Sequence, residues 1–110
     1  MKNLIQSKCI PCEGGISPLT AADYKPYLAQ LDSWTVIDSK KLEREFIHKD
    51  FTVALKFVNQ VGEIAEQEGH HPDILIHDWN KVKITLRTHA IKGLSVNDFI
   101  IAAKIDKLIF

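Results

Sequence analysis

The feature that most constrains the fold is a long amphipathic segment in the middle of the chain. It begins at Asp50, a residue type that often caps helix N-termini, and its apolar residues recur at intervals of three and four. These apolar residues are Phe51, Ala54, Leu55, Phe57, Val58, Val61, Ile64 and Ala65. Gly69 can adopt the left-handed conformation that closes a helix, and Pro72 prevents the helix from continuing. We therefore predict a long helix from Asp50 to Gly69 whose apolar stripe packs on another layer.

Segments on both sides of this helix have the period-two pattern of strands. Residues 34–38 and 42–47 are separated by a turn-like Ser-Lys pair, and residues 74–76 and 82–89 are joined around residues 78–80. In the last segment Val82, Ile84 and Leu86 lie on one face, and polar residues alternate with them. We predict two antiparallel strand pairs with one face against helices.

Two further helices complete the predicted order. Thr20 and Asp23 have the spacing of a capping box, which predicts a helix to about residue 31 that Pro26 shortens or bends. Ser95 and Asp98 have the same spacing before the last apolar stretch. The order α-β-β-α-β-β-α predicts an α+β fold in which a four-stranded antiparallel sheet carries three helices on one face. We assign residues 1–17 to a flexible N-terminal tail and residues 18–110 to a single domain.

Composition excludes several functional classes. The chain has 14 Lys plus Arg and 14 Asp plus Glu, so it lacks the basic excess that nucleic-acid and anionic-membrane binding require. It also has no apolar run of membrane-spanning length and no signal-peptide core near its start. We expect a soluble, cytoplasmic protein with reduced cysteines.

The two cysteines, Cys9 and Cys12, form a C-x-x-C motif. This spacing suits a redox pair or half of a zinc site, but no second cysteine pair is present and Gly14-Gly15 follows. We interpret the motif as a solvent-facing thiol pair on the tail. Zinc binding by these thiols and the histidines is the alternative, and elemental analysis of the purified protein tests it.

Three of the five histidines are candidates for chemistry. His70 and His71 are adjacent at the exit of the long helix, and His89 ends the last predicted strand. Imidazole has a pKa of about 6.5, so it can give and take a proton at neutral pH without a nucleophile or a metal. The alternative is structural: the adjacent pair favoured by the helix dipole, and His89 at a strand end. His48 and His77 are isolated, and we expect ordinary polar roles for them.

Several of these motifs together resemble the pterin-4a-carbinolamine dehydratases. The resemblance extends from about residue 19 to residue 105 and rests on the segments 65–73, 79–82, 88–89 and 92–95, with Asp98. The combination of His-His-Pro, a later Thr-His and a following Gly-Leu is specific, although each motif alone is weak. The cysteine-containing tail is similar to an extension in some bacterial members.

The resemblance implies roles for individual residues. The catalytic residues would be His70, His71 and His89, with proton exchange by His70 and His89 and pterin positioning by His71. Glu66 would support an imidazole, and the implied substrate-binding residues are Pro72, Trp79 and Thr88. Asp98 also fits the family pattern, but we expect it to act as a helix cap.

The implied activity is dehydration of 4a-hydroxytetrahydrobiopterin to quinonoid dihydropterin and water by histidine acid-base catalysis, with no metal and no organic cofactor. This reaction recycles the cofactor of aromatic amino acid hydroxylases and so implies a functional link to such an enzyme. Family members are homodimers or homotetramers, and a sheet with one open face also predicts self-association through the sheet. The alternative function is a protein-binding scaffold that acts as a dimerisation cofactor or transcriptional coactivator.

Overall fold

The computed structural model describes residues 3–10 and 16–108. It confirms the predicted α+β fold and the order of its helices and strands. The elements are α1 (Ala21–Leu28), β1 (Thr35–Ile37), β2 (Lys41–Ile47), α2 (Phe51–Glu68), β3 (Asp73–His77), β4 (Lys81–Leu86) and α3 (Val96–Asp106), with a 3-10 helix at His89–Ile91 between β4 and α3.

The four strands form one antiparallel sheet in the order β1-β2-β4-β3. The two predicted hairpins are therefore joined through their longer strands, β2 and β4, at the centre of the sheet. Leu42 pairs with Leu86 in this central ladder, and Ile84 pairs with Ile74 in the next one. Because side chains alternate along a strand, this register brings the apolar residues of neighbouring strands to one face.

The core lies between that face and the helices. Its fully buried side chains include Leu42, Val82, Ile84 and Leu86 from the sheet and Phe57 and Val61 from α2. Helix α3 is apolar on nearly all sides, and residues 97–103 and 105 are buried. Surrounding α3 with apolar contacts fixes the position of its N-terminus, which adjoins the candidate site.

The predicted helix signals are confirmed where the structure describes them. Asp50 accepts a hydrogen bond from the Val53 backbone N–H, and Gly69 closes α2 at φ 67°. In α1, Thr20 and Asp23 form the reciprocal capping box, but the helix ends at Leu28, three residues before the predicted end. Pro26 lies inside α1, where it offers no N–H to a preceding carbonyl, and the helix ends two residues after it.

The described part of the N-terminal segment, which lies within the predicted tail of residues 1–17, contacts the core. Leu4 is completely buried in the core, and its N–H donates to Oε1 of Gln30. Residues 3–10 therefore pack against the domain, while residues 11–15 lie outside the described part. Across the described residues, no helix has the length and apolar character needed to cross a membrane.

Candidate active site

His70 is held by a buried carboxylate. It follows Gly69 at the end of α2, and its Nε2 lies 2.6 Å from Oδ1 of Asp98. The side chain of His70 is 12% exposed and that of Asp98 is not exposed at all. A carboxylate offers only acceptors, so Nε2 carries the hydrogen, and a neutral His70 keeps a lone pair on Nδ1.

Asp98 has two functions. Its Oδ2 accepts hydrogen bonds from the backbone N–H of Ser95 and from Oγ1 of Thr88, at 3.0 Å and 2.9 Å. The predicted capping role is therefore confirmed, and the same carboxylate also orients His70. Sequence reasoning missed this second contact because the residues are 28 positions apart and nothing in their spacing indicates that they meet.

His71 is much more exposed than its neighbour. Its side chain is 59% exposed, and its Nε2 lies 2.8 Å from Oε1 of Glu66, which is 80% exposed. The carboxylate of Glu66 thus contacts His71 and not His70. Because water screens an exposed ion pair, this contact orients the ring but contributes little to stability.

His89 lies in a 3-10 helix and not at the end of a strand, which corrects the predicted boundary of β4. The strand ends at Leu86, and the Thr88 N–H then donates to the carbonyl of Gly93 at 2.9 Å, closing a short loop. Lys92 adopts a left-handed conformation at φ 56° in this loop. A Cβ on Gly93 would lie 2.7 Å from Cβ of Pro18, so glycine allows the loop to pack there.

The fold brings the three candidate histidines to one cavity of about 420 Å³. The predicted substrate contacts Pro72 and Thr88 also line it. Trp79 does not line it: this residue lies in the β3–β4 turn with 60% of its surface exposed. Strand β3 starts next to the histidine pair, and the turn that holds Trp79 follows its other end. The length of the strand therefore separates Trp79 from the histidines.

The cavity also contains charged residues that sequence reasoning missed. Asp73 and Arg87 line it, with the Arg87 guanidinium 3.8 Å from the Asp73 carboxylate. Asp73 lies two residues after His71 at the start of β3, and Arg87 lies two residues before His89 and directly after β4. This closeness in sequence to a candidate histidine was the available signal. Among residues 3–10 and 16–108, no three His, Cys, Asp or Glu side chains are grouped as metal ligands.

Cys9 is half-buried beside the cavity and not solvent-facing as expected. Its N–H donates to Oε1 of Glu68, and the next residue, Ile10, exchanges two hydrogen bonds with the Asn97 side chain. Burial, reinforced by the nearby Glu68 carboxylate, raises the pKa of the Cys9 thiol to about 12. The thiol is therefore protonated at neutral pH and a weak nucleophile. The other half of the predicted thiol pair, Cys12, lies outside the described residues.

Comparison with known proteins identifies the family. The family model for pterin 4 alpha carbinolamine dehydratase matches residues 17–108. The chain belongs to this family. The resemblance inferred from the histidine motifs is thereby confirmed.

Similar proteins cover almost the whole chain. A relative from Alkaliphilus metalliredigens, provisionally named pterin-4-alpha-carbinolamine dehydratase, is 54% identical over 97% of this chain and 96% of its own length. One from Rubrobacter xylanophilus with the same provisional name is 44% identical over 98% of this chain and all of its own. A crystal structure described as a transcriptional coactivator/pterin dehydratase from Brucella melitensis has a TM-score of 0.74 and 33% identity, covering 81% of this chain and 95% of that one.

Proposed function

We propose that this protein dehydrates 4a-hydroxytetrahydropterins, such as 4a-hydroxytetrahydrobiopterin, to quinonoid dihydropterins. The observation that carries the proposal is the convergence of His70, His71 and His89 on one cavity, with His70 anchored by a buried aspartate. Family membership supports the same reaction. Recycling of the cofactor of an aromatic amino acid hydroxylase and a cytoplasmic location remain predictions.

The reaction requires one proton acceptor and one proton donor. The N5–H of the pterin is lost as the C4a–O bond breaks, a C4a=N5 double bond forms, and the leaving hydroxyl takes up a proton to become water. We assign proton acceptance from N5 to His70, because Asp98 fixes its Nε2–H and so leaves Nδ1 as the ring nitrogen that can accept a proton. In protonated form, His89 donates to the leaving hydroxyl.

The remaining residues position the substrate. His71, oriented by Glu66, contacts the pterin at the outer side of the cavity, and Pro72 and Thr88 line the wall. After dehydration, His70 holds the extra proton and His89 lacks one, so exchange with solvent restores both. His89 is exposed, which gives water direct access for that exchange.

A stopped-flow assay tests the proposal. Freshly generated 4a-hydroxytetrahydropterin is mixed with chelator-treated protein at neutral pH, and loss of its absorbance is followed. We expect acceleration over the spontaneous rate on the order of 100- to 10,000-fold, the range of general acid-base catalysis. A rate equal to the spontaneous one would refute the proposed activity, and activity lost with the metal would refute the metal-free mechanism.

The open face of the sheet supports self-association as a homodimer or homotetramer. Ile47 and Leu75 are 70% and 52% exposed on that face, and β1 and β3 are edge strands. Exposed strand edges and apolar side chains usually need cover. Light scattering should therefore give a mass at least twice the 12.5 kDa of one chain.

A protein-binding role is the second candidate function. It is favoured by the description of the Brucella melitensis structure as a coactivator and by the same exposed face. A monomeric mass in light scattering would contradict self-association. The open face of the sheet would then be available to bind a different protein. A variant lacking the three histidines should then retain such binding, since none of them lies on the sheet face.

A further inference from the structure

A second cavity, of about 220 Å³, adjoins the histidine cavity. The two cavities share Arg87, Thr88 and His89. The rest of the second cavity is lined by Lys40, Lys41, Lys92 and Gly93. Its lining therefore includes four basic side chains and, among the described residues, no carboxylate. In a chain with equal numbers of acidic and basic residues, this is a strong local excess of positive charge. We call it the basic cavity.

The sheet register assembles these cations. Leu42 pairs with Leu86 in the central ladder, so Lys41 and Arg87 occupy the next positions at the same end of β2 and β4. Lys40 belongs to the turn before β2, and Lys92 belongs to the loop that follows His89. The four cations come from three separate parts of the sequence, so no run of basic residues in the sequence predicts this cluster.

The backbone conformation at the basic cavity is unusual for the residues that it holds. Lys92 has φ 56°, and Ser39, directly before Lys40, also has φ 56°. Glycine and asparagine adopt this left-handed conformation more readily than other residues. The fold thus places a lysine at a position where glycine would be less strained.

The charges of the basic cavity are largely unneutralised. Within the described part of the chain, Lys40, Lys41 and Lys92 have no carboxylate within ion-pair distance, and Arg87 has only the 3.8 Å contact with Asp73. Carboxylates elsewhere on the open face are engaged: Glu43 accepts from Thr85, for example. Clustered cations in a concave site attract and retain anions.

We propose that the basic cavity binds an anionic substituent, a phosphate or a carboxylate, of a pterin whose ring occupies the histidine cavity. The proposal rests on the proposed function for the position of the ring. It adds the substrate class: pterins with a negatively charged side chain. Because Arg87, Thr88 and His89 line both cavities, a single ligand can extend from one cavity into the other.

Binding of stable, oxidised pterins to the full chain tests this inference independently of turnover. The probes are 6-hydroxymethylpterin, its monophosphate and pterin-6-carboxylate, with inorganic phosphate as a fourth ligand, measured by calorimetry at low and high ionic strength. We expect the monophosphate to bind at least about tenfold more tightly than the uncharged alcohol, with a preference that salt weakens. The carboxylate arm shows whether one negative charge is sufficient.

The matched variants are the double substitution Lys40→Gln with Lys92→Gln and the control Lys56→Gln on the exposed side of α2. The double variant should lose the preference for the monophosphate but keep both its affinity for 6-hydroxymethylpterin and its dehydration rate with an uncharged pterin. The control should keep all three. Melting curves confirm that each variant is folded.

The outcomes separate this inference from the proposed function. Equal wild-type affinity for the charged and uncharged pterins, or a preference that survives the double substitution, would overturn it. Tight binding of inorganic phosphate with no gain from the pterin ring would also overturn it, since the cavity would then hold a free anion. A phosphate preference in a protein without dehydratase activity would support the basic cavity and refute the proposed reaction.

Discussion

The two sides of the C-terminal end of α2 differ sharply although they are built from the same residue types. On the inner side His70 contacts the buried Asp98, and Glu68, only 4% exposed, pairs with Lys104 of α3 at 2.6 Å. On the outer side His71 pairs with Glu66 in contact with solvent. A histidine and a glutamate on one side are thus part of the packed structure, and their counterparts on the other side are not.

The inner side connects three parts of the chain. Glu68 accepts hydrogen bonds from Lys104 and from the backbone N–H of Cys9, so it links α2 to α3 and to the N-terminal segment. Burial alone would raise the pKa of the Glu68 carboxyl, but these hydrogen bonds and the Lys104 charge outweigh burial and lower it. We therefore expect substitutions on the inner side to lower stability, with activity also lost where they disturb His70, and substitutions on the outer side to leave stability nearly unchanged.

The largest effect is expected at Asp98. Asp98→Ala removes the acceptor for His70, Thr88 and the Ser95 N–H in a fully buried position, and should lower the free energy of unfolding by about 3 kcal/mol. It should also lower kcat/KM of the folded fraction by at least about tenfold. Denaturant unfolding and the stopped-flow assay measure the two effects.

The control for Asp98 is Asp23→Ala. Asp23 occupies the same capping-box position in α1 but is exposed and distant from the cavity. The Asp23→Ala variant should therefore leave kcat/KM unchanged. If Asp98→Ala also left kcat/KM unchanged, Asp98 would be only a helix cap. The difference between the two sides would then concern stability and not catalysis.

The histidine variants are the next test of the difference between the two sides. His70→Ala, His71→Ala and His89→Ala should each lose at least about tenfold in kcat/KM, equivalent to about 1.4 kcal/mol of transition-state stabilisation. Only His70→Ala should also lower the melting temperature, because it leaves a buried carboxylate without its partner. His48→Ala and His77→Ala should be near neutral in rate. Equal activity in all five variants would make the cluster structural.

The effect of pH distinguishes the two glutamates. Glu68→Gln should lower the free energy of unfolding at pH 7 by about 1 to 2 kcal/mol. Because the pKa of Glu68 is lowered in the folded state, its stabilisation is complete above the ordinary value of 4.5 and is lost as pH falls through the folded value. The difference between wild type and Glu68→Gln should therefore shrink below about pH 4.5. Glu66→Gln, on the outer side, should show little difference at any pH; an equal loss in both would contradict the comparison.

The smallest effect is expected at Trp79. Its exposed position in the β3–β4 turn places it outside the cavity, so Trp79→Ala should change kcat/KM by less than about twofold. Steady-state kinetics of the variant beside Pro72→Ala, which alters the cavity wall, measures this. A large loss at Trp79 would mean that the substrate extends to the turn or that another copy brings the turn to the site.

Local signals in the sequence were sufficient for the helices and for the candidate histidines. The Asp50 cap, the Gly69 stop and the Ser95–Asp98 capping box act within a few residues, so the spacing of residue types reveals them. The motif His70-His71-Pro72 was recognisable for the same reason. The end of β4 was predicted less well, because a loop bond between Thr88 and Gly93 competes with strand extension.

By itself, then, the sequence determined the order of elements, the helix caps and the family. Only the tertiary structure decided that β2 and β4 pair at the centre, that Asp98 reaches His70, that Trp79 lies outside the cavity and that four separated cations surround one cavity. The physical reason is the range of the interactions. Caps and turns are set by neighbouring residues, whereas strand order and buried hydrogen bonds depend on how distant segments exclude water together.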